Sequence, residues 1–301
     1  MNILITGGAG FIGISLVKKL HKKHKLYIFD LKKKIIEKNK ILKKYNCTSI
    51  SGDIRKKNTF HKIKSSIDIV YHFAALCSTE VAEKYPKDCL DTNVSGTKHL
   101  IEWCEKTNVK KIIFTSSMAV YGKVSKNIKE NAKLKPISTY GKSKLLGEKI
   151  LTNNKNKIKI VIFRLFNVYG PGQDFLNQKQ GMLSIYLSQI LKYKKVFIKG
   201  SINRFRDFIY IEDVISALKT NAKYGIYNIG YGKPYRVESL IKLLFKYMQI
   251  KFIKKNIVSL QKHSGDTWGS YANILKMKKT GWFPKTNLDL GIKKTIDDIK
   301  K

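Results

Sequence analysis

The chain has 301 residues, with 60 Lys or Arg against 21 Asp or Glu, so its formal net charge at pH 7 is +39. With 43% hydrophobic and 11% aromatic residues it is too apolar for a disordered chain, and its 20 Gly and 5 Pro are too few for a collagen-like one. It has no long uncharged stretch of the kind that predicts a membrane span. The length suits one large domain or two packed lobes.

The positive charge comes almost wholly from lysine, which is spread along the whole chain, since only five arginines are present. This pattern is typical of an AT-rich genome, whose codons drift toward Lys, Asn and Ile at tolerant surface positions. A nucleic-acid-binding protein would place arginines for paired hydrogen bonds and interleave basic residues with exposed aromatics. We therefore expect a solvated lysine surface and neither a nucleic-acid nor a membrane partner, with binding of a polyanion kept as the alternative.

The cysteines show neither a C-x-x-C pair nor the spacing of a metal site. We predict free thiols and no metal; the four residues are Cys47, Cys77, Cys89 and Cys104. Met1 leads directly into a strand-like run that is too short for the core of a signal peptide and lacks a basic leader. We therefore expect a soluble cytoplasmic protein.

The first half of the chain alternates short apolar strands with longer helical patterns. The predicted strands are Ile3 to Thr6, Leu26 to Phe29, Ile69 to Ala74, Ile112 to Ser116 and Ile160 to Leu165. Two helices with apolar stripes are predicted at Phe11 to Leu20 and at Asp88 to Lys106. This alternation predicts an α/β fold with a doubly wound parallel sheet that is covered on both faces.

The second half is less regular, with glycine and proline turns near residues 169–172, 230–234 and 281–284. Helical patterns lie at Leu183 to Leu191, Val237 to Tyr247 and Leu288 to Lys300. No repeat or low-complexity linker separates the halves. We predict a nucleotide-binding domain over residues 1–166 and a smaller, interleaved α/β substrate lobe over 167–301, with segments around 196–216 returning to the first domain.

Between the first predicted strand and the first predicted helix lies the run GGAGFIG. Gly7 and Gly10 allow the turn to close and the backbone to approach a pyrophosphate, and Gly13 allows the helix to pack on the strand. The helix begins with Phe11 and Ile12, and its N-terminus offers amide donors to an anion. Strand, turn and amphipathic helix together predict a dinucleotide site that includes these five residues.

Two carboxylates follow at positions that suit an adenosine. Asp30 ends the second predicted strand, where it can accept hydrogen bonds from the ribose hydroxyls and repel a 2′-phosphate. NAD is therefore favoured over NADP, although three lysines follow closely. Asp53, beside Ile54, is placed to reach the adenine, and a plain turn-stabilising role for this Asp stays open.

Tyr140 and Lys144 are four residues apart, which places them on one face of a helix. The chain has 16 Tyr and many Lys, so this spacing also arises by chance, as at Tyr247 and Lys251. Tyr140 differs because it follows a Ser-Thr helix start and comes after Ser117, which ends a predicted central strand. We therefore single out Tyr140 as the functional member.

A phenol has a reference pKa of about 10, so it needs a nearby positive charge to act as a base near neutrality. Lys144 and an oxidised nicotinamide would supply that charge. Ser117 can hydrogen-bond the same substrate hydroxyl and align the proton transfer. Ser117, Tyr140 and Lys144 are thus the candidate catalytic residues, and they predict alcohol and ketone chemistry.

These motifs together resemble the extended branch of the short-chain dehydrogenase/reductase family, the NAD-dependent nucleotide-sugar epimerases and dehydratases. Four further segments carry the resemblance, namely His72 to Ala75, Asn93 to Thr97, Arg164 to Pro171 and Arg206 to Tyr210. The resemblance covers nearly the whole chain and implies a Rossmann fold, bound NAD and a nucleotide-sugar substrate. It also implies a homodimer, with the helices around 88–106 and 139–152 at the interface.

The resemblance further implies individual roles. NAD would be contacted by Ala74, Ala75, Asn93, Tyr140, Lys144 and Phe166, and the substrate by Ser117, Asn167, Arg206 and Asp266. Asn93 would steady the active-site helix, and Phe166 would lie near the nicotinamide. The guanidinium of Arg206 suits a pyrophosphate because it can donate two parallel hydrogen bonds.

The residues after Ser117 narrow the reaction. The 4,6-dehydratases of the family have an Asp-Glu pair straight after the Ser/Thr, and the decarboxylases have a Glu two places after it, where this chain has Met118 and Ala119. Without an acid, elimination lacks its proton donor and base. The pattern therefore resembles most a 4-epimerase that acts through a transient 4-keto sugar.

Two alternatives stay open, namely an NAD(P)-dependent reductase of 4-keto nucleotide sugars and a noncatalytic NAD-binding protein. Two departures from the family pattern leave the sugar and the nucleotide undecided. His263 stands where the family often has Arg, and Cys77 stands where the UDP-glucose type commonly has Lys.

Overall fold

The computed structural model describes residues 1–123, 126–154, 158–175, 181–260 and 268–300. The chain divides into two compact units, each assembled from separate segments. The first unit consists of Met1–Val120, Ser138–Arg164 and Asn221–Tyr227. The second unit consists of Tyr121–Ile137, Leu165–Thr220 and Asn228–Lys301.

The strands are β1 (Asn2–Thr6), β2 (Lys25–Asp30), β3 (Thr48–Ser51), β4 (Ile69–His72), β5 (Lys111–Ser117), β6 (Lys126–Ile128), β7 (Lys159–Leu165), β8 (Asn167–Tyr169), β9 (Val196–Lys199), β10 (Phe205–Arg206), β11 (Phe208–Tyr210), β12 (Gly225–Ile229), β13 (Tyr235–Arg236), β14 (Ile257–Leu260) and β15 (Gly269–Ala272). The helices are α1 (Phe11–Leu20), α2 (Lys32–Lys44), α3 (Thr79–Lys84), α4 (Pro86–Leu90), α5 (Gly96–Lys106), α6 (Thr139–Thr152), α7 (Met182–Tyr193), α8 (Ile211–Leu218), α9 (Val237–Tyr247), α10 (Leu275–Lys278) and α11 (Leu288–Ile299).

The main sheet has seven strands in the order β12-β7-β5-β4-β1-β2-β3. β1 pairs in parallel with both β2 and β4, and the sheet continues in parallel through β2 to β3 and through β4 to β5. The chain therefore reverses its direction across the sheet at β1, and ligands of such sheets bind at the carboxyl ends of the strands near this reversal. The predicted doubly wound α/β fold is confirmed.

The strands of this sheet read as continuous apolar runs because helices cover both faces. Leu4, Val70 and Ile112, from three neighbouring strands, are fully buried in one core cluster. The ring of Phe60 stacks on that of Phe29 with 5.1 Å between the ring centroids and so extends the cluster beside β2. Burial of this kind supplies most of the free energy that stabilises the unit.

The predicted strands agree with β1, β2, β4, β5 and β7 to within a few residues, and the predicted helices agree with α1, α7, α9 and α11. The predicted helix at Asp88 to Lys106 is interrupted. It begins at Pro86 as α4, widens into a π-helical turn at Asp91–Ser95, and continues as α5. Such π-helical turns are rare and occur frequently at functional sites.

The second unit contains a four-stranded sheet in the order β13-β10-β15-β6 and the parallel pairs β11 with β8 and β14 with β9. A buried carboxylate fixes its last segment: Asp213, in α8, accepts hydrogen bonds from the backbone N–H groups of Lys285 and Thr286 at 2.9 Å each. In α11, Gly291 faces the ring of Tyr169 so closely that a Cβ would overlap the phenol oxygen.

No helix within the described ranges is both long and apolar enough to cross a membrane. In the same part of the chain no group of three or more His, Cys, Asp or Glu side chains is placed to hold a metal ion. All four cysteines are free thiols, as predicted.

Candidate active site

The glycine turn after β1 has the geometry that a dinucleotide site requires. Gly7 has a φ of +67°, and a Cβ there would lie 2.6 Å from the backbone nitrogen of Ala74. A Cβ on Gly13 would lie 2.5 Å from the carbonyl oxygen of Gly8, so only glycine allows α1 to pack against the turn. Gly10 is the N-cap of α1 and has no side chain that could accept a hydrogen bond from the first backbone N–H groups of the helix. The first two residues of the helix are Phe11 and Ile12. These amides can bind a phosphate.

Asp30, at the end of β2, binds the glycine turn as well as its own loop. One carboxylate oxygen accepts from the backbone N–H of Ala9 at 3.0 Å, and the other accepts from that of Leu31 at 2.8 Å. Burial raises the pKa of Asp30, while these two hydrogen bonds act in the opposite direction. Each oxygen keeps a further lone pair for a ribose hydroxyl. The contact with Ala9 is a second role that the sequence pattern did not indicate.

We expect Asp30→Asn to weaken NAD binding by about 10- to 100-fold, because an amide cannot accept from both backbone N–H groups and carries no charge for the ribose. The preference for NAD over NADP should also fall, since the repulsion of a 2′-phosphate is removed. Titration calorimetry with both dinucleotides measures the effect. Glu37→Gln is the matched control, because Glu37 lies nearby on α2 and pairs only at the surface with Lys34. Unchanged affinity for both dinucleotides in Asp30→Asn would contradict the assignment.

Asp53 is engaged by its neighbour in the turn after β3. Arg55 donates from Nη2 to Asp53 at 2.7 Å and from Nε at 3.0 Å, and its backbone N–H also donates to the same carboxylate at 3.0 Å. Arg55 holds the pKa of Asp53 below its usual value. The structure therefore shows the turn-stabilising role, and the adenine contact of Asp53 stays a prediction. Ile54 is buried, and its side chain packs against Gly96 at the start of α5.

The loop after β4, with Ala74 and Ala75, is held at the carboxyl edge of the sheet. Asn93, in the π-helical turn, accepts from Leu76 N–H at 2.8 Å and donates to Leu76 O at 3.0 Å. Its amide also donates to the hydroxyl of Ser143 in α6 at 2.8 Å. The wide turn thus directs one buried side chain at both the loop and α6, while the predicted contact of Asn93 with NAD stays a prediction.

The structure brings Ser117, Tyr140 and Lys144 together. Ser117 ends β5, and Tyr140 lies in the first turn of α6, whose N-cap Ser138 accepts from Gly141 N–H at 3.0 Å. The side chains of Ser117 and Tyr140 lie close enough for the two hydroxyls to interact. Lys144, one turn later, is only 3% exposed, and its Nζ lies 4.3 Å from the centroid of the Phe114 ring.

Burial governs the ionisation of this trio. It raises the pKa of Tyr140, and the hydrogen bond from Ser117 offsets part of that rise. It lowers the pKa of Lys144 to about 8. The phenol is therefore a weak acid by itself, while Lys144 remains mainly protonated at pH 7. A further positive charge beside Tyr140, such as an oxidised nicotinamide carries, would lower the pKa of the phenol toward the working range.

A buried histidine lies beside this site in a neutral form. His72, at the end of β4, is bonded through Nδ1 to Thr6 Oγ1 at 2.7 Å and through Nε2 to Thr97 Oγ1 at 3.0 Å. Burial and the charge of Lys144 lower its pKa to about 3. His72 therefore links β1, β4 and α5 and does not titrate near neutral pH.

Of the predicted substrate residues that the structure describes, Ser117 lies in the first unit, and Asn167 and Arg206 lie in the second. Asn167 donates from its amide to the backbone oxygen of Asp207 at 2.8 Å, and Arg206 donates from Nη1 to Phe205 O at 2.8 Å. Phe166 is buried, and its N–H bonds to Ile229 O at 2.9 Å. Asp266 and His263 lie outside the described residues.

Two buried charged groups, one in each unit, were not predicted. Asp207 follows Arg206 directly and is fully buried, where it accepts from three backbone N–H groups. Glu148 forms a buried ion pair with Arg164. The sequence contains a signal for this ion pair. Glu148 lies four residues after Lys144 on one helix face, and Arg164 is a charged residue within an apolar strand.

Residues 3–230 match the NAD dependent epimerase/dehydratase family. The chain belongs to this family. It is 35% identical over 306 residues to a candidate UDP-glucose 4-epimerase of Methanocaldococcus jannaschii, covering 99% of this chain and 98% of the relative. It is 34% identical to the dTDP-4-dehydro-6-deoxyglucose reductase of Escherichia coli over 322 residues, covering 99% and 97%.

Among solved structures, the UDP-glucose 4-epimerase of Thermotoga maritima with bound UDP-glucose superimposes with a TM-score of 0.90 at 30% identity. The match covers 100% of this chain and 99% of that one. The cofactor of the family is NAD, and the glycine turn, the free amides of α1 and the carboxylate of Asp30 fit a dinucleotide. The prediction of an NAD-binding member of the extended short-chain dehydrogenase/reductase family is confirmed.

Proposed function

We propose that the protein is an NAD-dependent 4-epimerase of nucleotide sugars, of the UDP-hexose or UDP-N-acetylhexosamine type. The observation that carries the proposal is the assembly of Ser117, Tyr140 and Lys144, with Met118 and Ala119 where an eliminating enzyme has acids. The trio supports oxidation and reduction of a hydroxyl, and the missing acids speak against dehydration. The similarity to two UDP-glucose 4-epimerase-type proteins supports the same choice.

The chain's own residues account for the proton transfers. Tyr140 accepts the proton of the sugar C4 hydroxyl, and Ser117 holds that hydroxyl through a second hydrogen bond. The charge of Lys144 stabilises the phenolate, and the apolar ring of Phe114 keeps the ammonium out of water. Bound NAD, held by the glycine turn and Asp30, would supply the hydride acceptor and donor for C4 of the sugar, and the 4-keto sugar would turn between the two transfers. Tyr140 then returns the proton.

We further propose a division of labour between the chain's two parts. Residues 1–166 hold NAD, with contacts from Ala74, Ala75, Asn93 and Lys144. Residues 167–301 mainly bind the substrate, with segments around 196–216 returning to the first domain. Asn167, Arg206 and Asp266 would contact the nucleotide diphosphate, for which a guanidinium is well suited, and Phe166 would lie near the nicotinamide.

An NAD(P)-dependent reductase of 4-keto nucleotide sugars is the second candidate, since the reductase from Escherichia coli is nearly as similar as the first relative. The two candidates differ in the fate of the cofactor. An epimerase regenerates NAD in each turnover and gains by retaining it, whereas a reductase must release it.

One experiment separates the two candidates. The purified protein is desalted, its bound nucleotide is identified, and the interconversion of UDP-glucose and UDP-galactose and of their N-acetyl forms is assayed without added cofactor. We expect NAD to survive desalting and at least one pair to interconvert. Turnover that requires added NADPH would favour the reductase. Absence of any turnover, together with salt-sensitive binding of RNA or DNA, would contradict both candidates.

We also propose that the protein is a homodimer in the cytoplasm. Leu90 on α4 and Leu146 on α6 are 38% and 41% exposed, which leaves apolar surface on the helices that the family resemblance places at the interface. The four free thiols fit a reducing compartment. A solution mass equal to two chains checks the oligomeric state.

A further inference from the structure

A buried ion pair lies one helical turn beyond Lys144. Arg164, in β7, donates from Nη2 and Nε to the carboxylate of Glu148, in α6, at 2.7 and 3.0 Å. The two residues are 2% and 3% exposed. The hydroxyl of Ser116, the neighbour of Ser117 in β5, donates to the same carboxylate. One acidic group thus connects α6, β5 and β7 beneath the catalytic trio.

Such a pair is a weak source of stability. Transfer of both ions out of water costs about as much as their attraction returns, and apolar side chains of similar volume often serve as well. Two features of this pair point beyond packing. Glu148 lies on the same face of α6 as Lys144, four residues away, and its negative charge raises the pKa of the Lys144 ammonium.

The ionisation of Lys144 is finely balanced. Burial lowers its pKa to about 8, close to neutral pH. A further fall of about one unit would leave about half of the lysine neutral at pH 7 and most of it at pH 8, and would so remove the charge that Tyr140 needs. A group that raises the pKa of Lys144 therefore determines up to which pH Tyr140 can act as a base.

The groups that face Lys144 come from several elements. The thiols of Cys77, in the loop after β4, and Cys89, in α4, lie near Lys144, as does the carboxylate of Glu148 on its own helix. The neutral imidazole of His72 comes from β4 and the ring of Phe114 from β5. The phenol of Tyr140 lies on the same face of α6, and the guanidinium of Arg164 reaches the far side of Glu148 from β7. Thiols and phenols are largely uncharged at pH 7. Among these described groups, Glu148 supplies the full negative charge.

We infer that Glu148, oriented by Arg164 and Ser116, is a positioning residue that keeps Lys144 protonated and thereby sets the upper pH limit of Tyr140 as a base. The consequence for turnover rests on the proposed function, whereas the effect on Lys144 does not. Arg164 fixes the carboxylate of Glu148 by two hydrogen bonds. Because it shares that negative charge, Lys144 does not receive the whole of it. The ion pair therefore keeps the pKa of Lys144 higher than it would be without Glu148 and lower than it would be if Glu148 had no Arg164.

The test measures the pKa of Lys144 directly, by competitive labelling with acetic anhydride over a pH series followed by mass spectrometry of the Lys144 peptide. The variants are Glu148→Gln and Arg164→Gln, each without added nucleotide. We expect Glu148→Gln to lower the pKa of Lys144 by about one unit or more. We expect Arg164→Gln to raise it, because Glu148 then has Lys144 as its remaining cationic partner. The alkaline limb of the pH profile of kcat should shift in the same two directions, with little change in KM.

Shifts of opposite sign separate this inference from a structural role, since loss of packing would lower activity in both variants without moving the two titrations apart. Asp213→Asn is the matched control. It removes another buried carboxylate, in the second unit, and should lower stability while leaving the pKa of Lys144 unchanged. If a single variant fails to fold, the double variant Glu148→Gln with Arg164→Gln leaves no unpaired ion and should still lower the pKa of Lys144.

No shift in Glu148→Gln and in the double variant, or equal shifts in both single variants, would overturn the inference. The labelling gives its answer whether or not any sugar nucleotide is turned over. If the wild-type protein is not an epimerase, the pKa measurement still decides the coupling between Glu148 and Lys144. If it is an epimerase and the pKa does not move, only the coupling fails.

Discussion

We expect Tyr140→Phe to reduce kcat for the proposed epimerisation by about a thousandfold or more, because the variant keeps the ring and loses the oxygen to which we assign exchange of the C4 proton. NAD should remain bound, since the glycine turn and Asp30 are untouched. Lys144 should also stay in place, because its ammonium rests on the ring of Phe114. Steady-state kinetics and the ratio of bound NAD to protein measure the two effects.

The chain offers a matched control at its second Tyr-Lys spacing. Tyr247 ends α9 in the second unit, and its hydroxyl donates to the exposed carboxylate of Asp289, on α11, at 2.8 Å. Tyr247→Phe removes the same atom from the same residue type, and we expect kcat to stay within about twofold of wild type because a surface hydrogen bond contributes little. Near-normal turnover in Tyr140→Phe, or an equal loss in both variants, would remove Tyr140 as the base.

The parts of the structure that the sequence predicted best are those whose pattern is local. The apolar run of β1, the glycine turn and the stripe of α1 follow one another within twenty residues, and each is required by sterics or burial at that point. The helix start that distinguishes Tyr140 from the chance match at Tyr247 is also local, and it is confirmed because Ser138 is a hydrogen-bonded N-cap.

What the sequence did not predict depends on contacts between distant segments. The residues of the π-helical turn at Asp91–Ser95 do not differ in type from those of an ordinary helix. The turn serves to place Asn93 against the loop at Leu76, which is distant in sequence. The second role of Asp30 needs Ala9, which is 21 residues away. Propensity and periodicity describe neighbours along the chain, so such pairings become visible only in the fold.

The polar centre of the second unit is the strongest case of this kind. Asp207 lies between β10 and β11 and is completely buried. Its carboxylate accepts from the backbone N–H groups of Tyr231 at 2.7 Å and of Gly232 and Ala272 at 3.0 Å each. These donors lie 24 to 65 residues further along the chain. One side chain therefore joins the segments on which the proposed substrate residue Arg206 depends.

We expect Asp207→Ala to lower the free energy of unfolding by about 4 kcal/mol at pH 7, because three buried N–H groups lose their acceptor and a cavity is left. Urea denaturation followed by circular dichroism measures the change. Glu238→Gln is the control, since Glu238 forms only a surface ion pair with Lys242 and should change stability by less than about 1 kcal/mol. A loss in Asp207→Ala no greater than in this control would show that the unit does not depend on the buried carboxylate.

The pH dependence of the same residue has a definite sign. Burial raises the pKa of Asp207 from 3.8 to about 6, so the folded state holds its proton over a range in which the unfolded state has lost it. The corresponding stability is fully present below pH 3.8 and is lost as the pH rises through 6, by about 3 kcal/mol in all. Asp207→Asn resembles the protonated form at every pH. We therefore expect the unfolding free energy of the wild type to fall relative to Asp207→Asn between pH 4 and pH 7. A constant difference between the two proteins over that range would mean that the three amides stabilise the carboxylate as fully as water does.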